Sequence, residues 1–270
     1  MMARPIERIE RDITVLQEAI GVIATELHSA YASYLTTLGQ AVRQQLILAT
    51  YHLCTQGYPV NFLKLSLNQR QQLQQTIRKL GQRAIAELLS SIEDEEDEEA
   101  ELADGESEAS NSPPDLALVE ISNPIELVTW QQNLEEVMQN TLKKVSHDAN
   151  VVLQKAGVLP KKLPEPILEA AAAVSEASAE VMPGPPNLLN LVIEIENEQD
   201  ADDSTLTQIM AINLRLGEIE FADATLSAGR KHIRHILNQL NKVGREYQKK
   251  QQEKSIAEAE AAWRAIWADD

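Results

Sequence analysis

The sequence predicts a mainly α fold: long amphipathic helices forming a helical hairpin and a coiled coil, joined by disordered acidic and proline-rich linkers. Three observations carry that expectation. Apolar residues recur at alternating spacings of three and four from Ile6 to Tyr34. Aromatic residues are scarce, with two Phe, three Trp and five Tyr in 270 residues. Acidic residues crowd into one run between the helical segments. Leu, Ala, Gln and Glu favour helix and pack as aliphatic seams, whereas sandwiches and barrels draw on β-branched and aromatic side chains.

The first periodic stripe, Ile6, Ile9, Ile13, Leu16, Ile20, Ile23, Leu27, Ala30 and Tyr34, is a heptad a/d seam. It resumes out of step at Leu38, Val42, Leu46, Ala49 and Leu53, a four-residue insertion that locally unwinds a supercoil. Gly57, Tyr58 and Pro59 then stop the helix near Gln56. Ser66 and Gln69 form a capping box that opens a second helix with the seam Leu73, Ile77, Leu80, Ala84 and Leu88. Residues 1–92 therefore read as an N-terminal helical hairpin. At a rise of ~1.5 Å per residue the first helix is about 75 Å long and the second about 40 Å, so the early seam needs another partner.

Residues 93–108 hold eleven Asp or Glu and no Lys or Arg. Such a run buries too little apolar surface to offset the entropy of ordering it, so 93–115 reads as an acidic disordered linker. Asn123, Pro124 and Glu126 announce a middle helix within 116–157, closed by Gly157 and Pro160. Six prolines between 160 and 186 mark a Pro/Ala-rich linker over 158–203. The apolar runs 116–121 and 188–195 fit strands or helix starts, and periodicity does not decide between them. From 204 to 270 a heptad register through Ile209, Ile212, Leu216, Ile219, Leu226, Ile233, Leu237, Leu240 and Tyr247 predicts a C-terminal long helix. It is either continuous or bent near Gly229, with Asp223, Arg230 and Gly244 falling on a positions.

The formal charge of −18 disfavours nucleic-acid affinity for the molecule as a whole. One cysteine, Cys54, allows no internal disulfide, and neither a secretory leader nor a membrane-spanning run is visible, so a cytoplasmic location and no transmembrane segment are expected.

Catalysis finds little support. Cys54 and His52 lie two apart, on opposite sides of a helix. His232 and His235 share a helical face but have no acidic or thiol ligand within a turn. Asp200, Asp202 and Asp203 open like a calcium loop, yet Thr205 and Ala211 stand where glycine and glutamate are needed. Phosphate loops, dinucleotide fingerprints and serine elbows do not occur. The expectation is no enzyme, no cofactor and no metal.

Binding fits better. The seam residues Ile6, Ile9, Ile13, Leu16, Ile20, Ile23 and Leu27 are expected to self-associate or to pair with the C-terminal heptads. Trp263, Ile266 and Trp267 share one helical face near the end of the sequence, the kind of anchor that enters a groove on another protein. Between 230 and 254, eight basic residues stand against Glu246 and Glu253, a balance of +6. Arg230, Lys231, Arg234, Lys242, Arg245, Lys249 and Lys250 are the expected polyanion contacts. Tyr51, Tyr58, Pro59 and Phe62 form a third aromatic cluster at the hairpin bend. These surfaces point to a scaffold or adaptor whose partners are other proteins or a second copy of itself. A nucleic-acid- or ribosome-associated factor using helix 230–254 is the first rival, and a peripheral membrane protein the second.

Overall fold

The computed structural model describes the backbone of residues 6–102, 123–160, 185–196 and 204–266, with side chains except at 91–102, 192–196, 204–207 and 266. In chain order the elements are α1 (Ile6–His52), a π-helical turn (Leu53–Gly57), α2 (Pro59–Lys64), α3 (Leu67–Leu102), α4 (Pro124–Lys155), β1 (Leu188–Glu196), β2 (Ser204–Ile212), α5 (Leu216–Ala222) and α6 (Ala224–Ile266). The protein is mainly helical, and none of the described helices is long and apolar enough to cross a membrane.

Helix ends follow from local chemistry. Ser66 and Gln69 satisfy each other's backbone N–H groups at 3.3 and 2.8 Å, the reciprocal bonds of a capping box. Asn123 Oδ1 accepts the Ile125 N–H at 3.0 Å and opens α4. Gly157 closes it in the left-handed region (φ 82°), where its N–H bonds to Gln154 O and that of Val158 to Leu153 O. Those two bonds define a Schellman cap.

Two compact units are built from these elements: Met1–Tyr34, Ile92–Glu135 and Ala228–Asp270 form one, and Leu35–Ser91 with Glu136–Ser227 the other. In the second unit Gly39 lies against Ile85 and Gly81 against Arg43, so α1 and α3 run antiparallel. Their seams, Leu38, Val42, Leu46 and Leu53 facing Leu73, Ile77, Ala84 and Leu88, are all buried.

Two expectations are corrected here. Helix α3 continues through the first half of the acidic run to Leu102, because extending a formed helix with Glu costs little compared with starting one. Residues 103–122 and 161–184, with the rest of the acidic linker, the 116–121 run and the prolines Pro164, Pro166 and Pro183, lie outside the described residues. The second correction is the larger: 204–215 is not helical. Ser204–Ile212 pairs antiparallel with Leu188–Glu196, Leu188 opposite Ile212 and Glu196 opposite Ser204. That settles 188–195 as a strand within the expected 158–203 linker. Spacings of three, as at Ile209 and Ile212, are silent between helix and strand, but β-branched residues recur at alternate positions of the sequence at 205, 207 and 209, a pattern that favours strand.

The outer edge of β2 is closed by side chains in place of a third strand. The Tyr58 hydroxyl accepts the Met210 N–H at 3.0 Å and donates to its carbonyl at 3.3 Å. Asn150 does the same for Ile212, accepting at 2.8 Å and donating at 2.9 Å, and Ser146 Oγ accepts the Leu214 N–H at 2.9 Å. Satisfying these edge groups removes the cost of burying them beside α4. A turn at Asn187 starts the hairpin. Asn187 is fully buried with φ 60°, and its N–H bonds to Glu218, its carbonyl to Asn213 N–H, its Oδ1 to Arg215 N–H and its Nδ2 to Gln45.

Candidate functional site

In the first unit, α1 and α6 run antiparallel. Lys250 pairs with Asp12 and Lys254 with Glu10, each at 3.0 Å, and His232 lies 3.9 Å from Glu26. Those flanking pairs set register, as e and g charges do in coiled coils. Ile9, Ile13, Ile20, Ile23 and Leu27 are buried between the chain's own elements, with Ile6 and Leu16 half-buried. Within the chain the early seam thus faces the C-terminal heptads, one of its two expected pairings, as an apolar stripe is closed by a matching stripe.

α6 is continuous through Gly229. A Cβ there would come within 3.3 Å of the Tyr34 ring, so the glycine permits close approach and marks no bend. Asp223, expected on the seam, caps α6 instead, its Oδ1 accepting the Thr225 and Leu226 N–H groups at 2.8 and 3.2 Å.

Arg230 is the main correction among the site residues. Rather than facing solvent it is 9% exposed, paired with Glu135, bonded to the Tyr34 hydroxyl at 3.0 Å and 4.7 Å from that ring's centroid. Glu135 also accepts the Tyr31 hydroxyl at 2.7 Å, and Gln131 donates to the same hydroxyl at 3.2 Å. Trp130 stacks on His28 at 4.0 Å and meets Tyr31 edge-on at 5.5 Å. Burial, then the bond to Glu135, pushes the Tyr31 hydroxyl well above its ordinary range, keeping it a neutral donor. The cluster ties α1, α4 and α6 together. Arg230 on an a position signalled it, since a guanidinium on a seam requires a buried partner; Tyr31, Trp130 and Glu135 carried no such signal.

The remaining basic residues divide. Lys231, Arg234, Lys242, Arg245 and Lys249 are exposed along α6. Lys250 is held by Asp12 and Glu253 and Lys254 by Glu10, which raises both ammonium pKa values. The apolar side of α6, with Ile233, Ile236 and Leu240, is buried.

Beyond Lys254 the helix changes character. Ile256 and Trp263 are 53% and 65% exposed and, with Ala259, form an i, i+3, i+7 stripe. A shallow hollow lies between them, edged by Glu260 and Arg264, which pair at 3.0 Å. The side chain of Ile266 and all of Trp267 lie outside the described residues.

Chemistry elsewhere is sparse. Among the described residues no three His, Cys, Asp or Glu side chains gather around one point fit for a metal ion. His235 bonds to Gln239. Cys54 is buried on the π-helical turn, and burial pushes its thiol up to about 11. The thiolate fraction at neutral pH is then on the order of a hundredfold below that of a free cysteine. Alkylation by iodoacetamide is accordingly expected to be at least about a hundredfold slower than in urea-unfolded chain, and to accelerate up to about pH 11. A rate at pH 7.5 equal to that of the unfolded chain shows the thiol to be accessible and refutes this. No family model matches the chain, and no curated protein or solved structure matches it.

Proposed function

We propose that this protein is a non-enzymatic helical adaptor that docks a protein partner through the terminal segment of α6. The observation that supports the reading is the exposed Ile256, Ala259 and Trp263 stripe, continued in sequence by Ile266 and Trp267. Elsewhere the seams of α1 and α6 close on each other, whereas past Lys254 large apolar side chains stand in water. Tryptophans on an exposed helical face are the residues that carry most energy when a helix enters an apolar groove.

The test is affinity purification of the full chain from native cells after nuclease treatment, beside Trp263→Ala/Trp267→Ala. The expected result is a protein held near stoichiometry by the wild type and lost by the variant, with unchanged circular dichroism. A partner held equally by both rejects the docking site.

The exposed row Lys231, Arg234, Lys242, Arg245 and Lys249 favours one second reading, association with nucleic acid or ribosomes. Between 230 and 254 Tyr247 is the one Phe, Tyr or Trp, so recognition would be of phosphates. Affinity falling steeply with salt and lost in Lys242→Glu/Arg245→Glu favours this reading over the adaptor.

A further inference from the structure

The bend between α1 and α3 carries an exposed apolar surface that the adaptor reading leaves unused. On the six-residue helix α2, Asn61 and Phe62 face inward. Asn61 donates to Val158 O at 3.0 Å, and Phe62 lies under the Arg70 guanidinium at 5.3 Å. The outer face of the same helix presents Val60 and Leu63, each 66% exposed, with Lys64 beside them. Leu67 follows at 72% exposed on the first turn of α3, which is tied to the bend by the Arg70 bond to Leu63 O at 2.8 Å. One turn before the bend, Tyr51 is 58% exposed. Leaving this many aliphatic groups in water is costly, about 0.8 kcal/mol for each methylene that transfer to an apolar phase would bury.

The charge around the bend is one-sided. From Leu27 to Ala86 the sequence has no Asp or Glu, while it holds Arg43, Lys64, Arg70, Arg78, Lys79 and Arg83. Of these only Arg70 is partly buried. In a chain at −18 such a segment stands out, and the four on α3 lie within roughly 25 Å of its first turn at ~1.5 Å per residue.

We infer that this bend is a docking surface for an anionic lipid bilayer: Val60, Leu63 and Leu67 enter the acyl boundary while Lys64 and its neighbours meet the lipid phosphates. Aliphatic side chains flanked by cations are what interfacial binding requires, since its strength follows apolar area and attraction to anionic headgroups. Protein hot spots are instead built on Trp, Tyr and Arg and are poor in Leu and Val, so a bilayer fits this surface better than an acidic protein. The basic stretch of α6 does not offer the same chemistry, because its apolar side is buried.

Sedimentation of the full chain with vesicles tests it, using phosphatidylcholine alone and with about one-third phosphatidylglycerol, in ~0.1 M salt. The chain is expected to bind the mixed vesicles and not the neutral ones. Val60→Ser/Leu63→Ser, at positions too exposed to disturb the fold, is expected to weaken partition at least about tenfold. Lys64→Glu weakens it several-fold, and Trp263→Ala leaves it unchanged, which separates this proposal from the adaptor reading. Failure to bind mixed vesicles overturns the proposal, as does binding that Val60→Ser/Leu63→Ser leaves intact but Lys242→Glu/Arg245→Glu abolishes. A protein lost by Val60→Ser/Leu63→Ser without any vesicle binding overturns it in favour of a protein interface.

Discussion

Arg230→Ala is expected to destabilise the protein by roughly 2–4 kcal/mol. Removing one member of a buried ion pair strands the other, at a cost of about 3–5 kcal/mol when burial is complete. Here the side chains of Arg230 and Glu135 are 11% and 23% exposed, so the figure is set lower. The variant also removes the bond to the Tyr34 hydroxyl and the guanidinium packed on that ring, which adds to the loss. The midpoint of thermal unfolding should fall by about 5–15 °C. Arg230→Met/Glu135→Leu should recover most of it, because an apolar pair of similar volume leaves no charge behind. Urea denaturation of the wild type, Arg230→Met, Glu135→Leu and the double variant measures the coupling. If Arg230→Ala unfolds with the wild type and loses only polyanion affinity, the arginine serves the solvent face and the lock assigned to it does not exist.

Asn187→Ala is expected to cost about 3–5 kcal/mol, although it deletes only a carboxamide. Two bonds disappear, those to Arg215 N–H and to Gln45, and buried donors or acceptors left without partners cost about 1–3 kcal/mol each. Alanine also tolerates φ 60° less well than asparagine, by about 1 kcal/mol. Asn187→Gly should return that last part alone, since glycine adopts the conformation freely but restores neither bond. Urea midpoints separate the two contributions. Near-wild-type stability for Asn187→Ala would mean that the turn forms without the side chain, and the hairpin would then owe its start to strand pairing alone.

Much of the helical scaffold was legible because its signals are local. The spacing of Ile6 to Leu27, the Ser66 and Gln69 box, the Asn123 cap and the Gly157 stop all act within a turn or two of the residues that carry them. The β-hairpin was less so. Ile209 and Ile212 fit a heptad as well as a strand, and what decides is Leu188–Glu196 lying alongside with Tyr58 and Asn150 bonding to the outer edge. The partners of Ile209 and Ile212 in the ladder, Leu191 and Leu188, are 18 and 24 residues away, and Tyr58 is 152 residues from Met210, so no window of a turn or two contains them. The same holds for Asp223, whose capping role became visible only once the strand before α5 ended the helical register early.

For the candidate binding surfaces the division is sharper. Composition and periodicity determined that the protein is helical, that α1 carries a seam in need of a partner, and that basic residues gather between 230 and 254. Tertiary structure alone decided that the seam's partner is α6, that Arg230 turns inward to Glu135 while Lys231, Arg234, Lys242, Arg245 and Lys249 face water, and that Ile256, Trp263, Val60, Leu63 and Leu67 stay largely exposed. The reason is physical: a sequence specifies which side of a helix is apolar, but whether that side meets solvent depends on what packs against it, and a packing partner is a property of the whole chain.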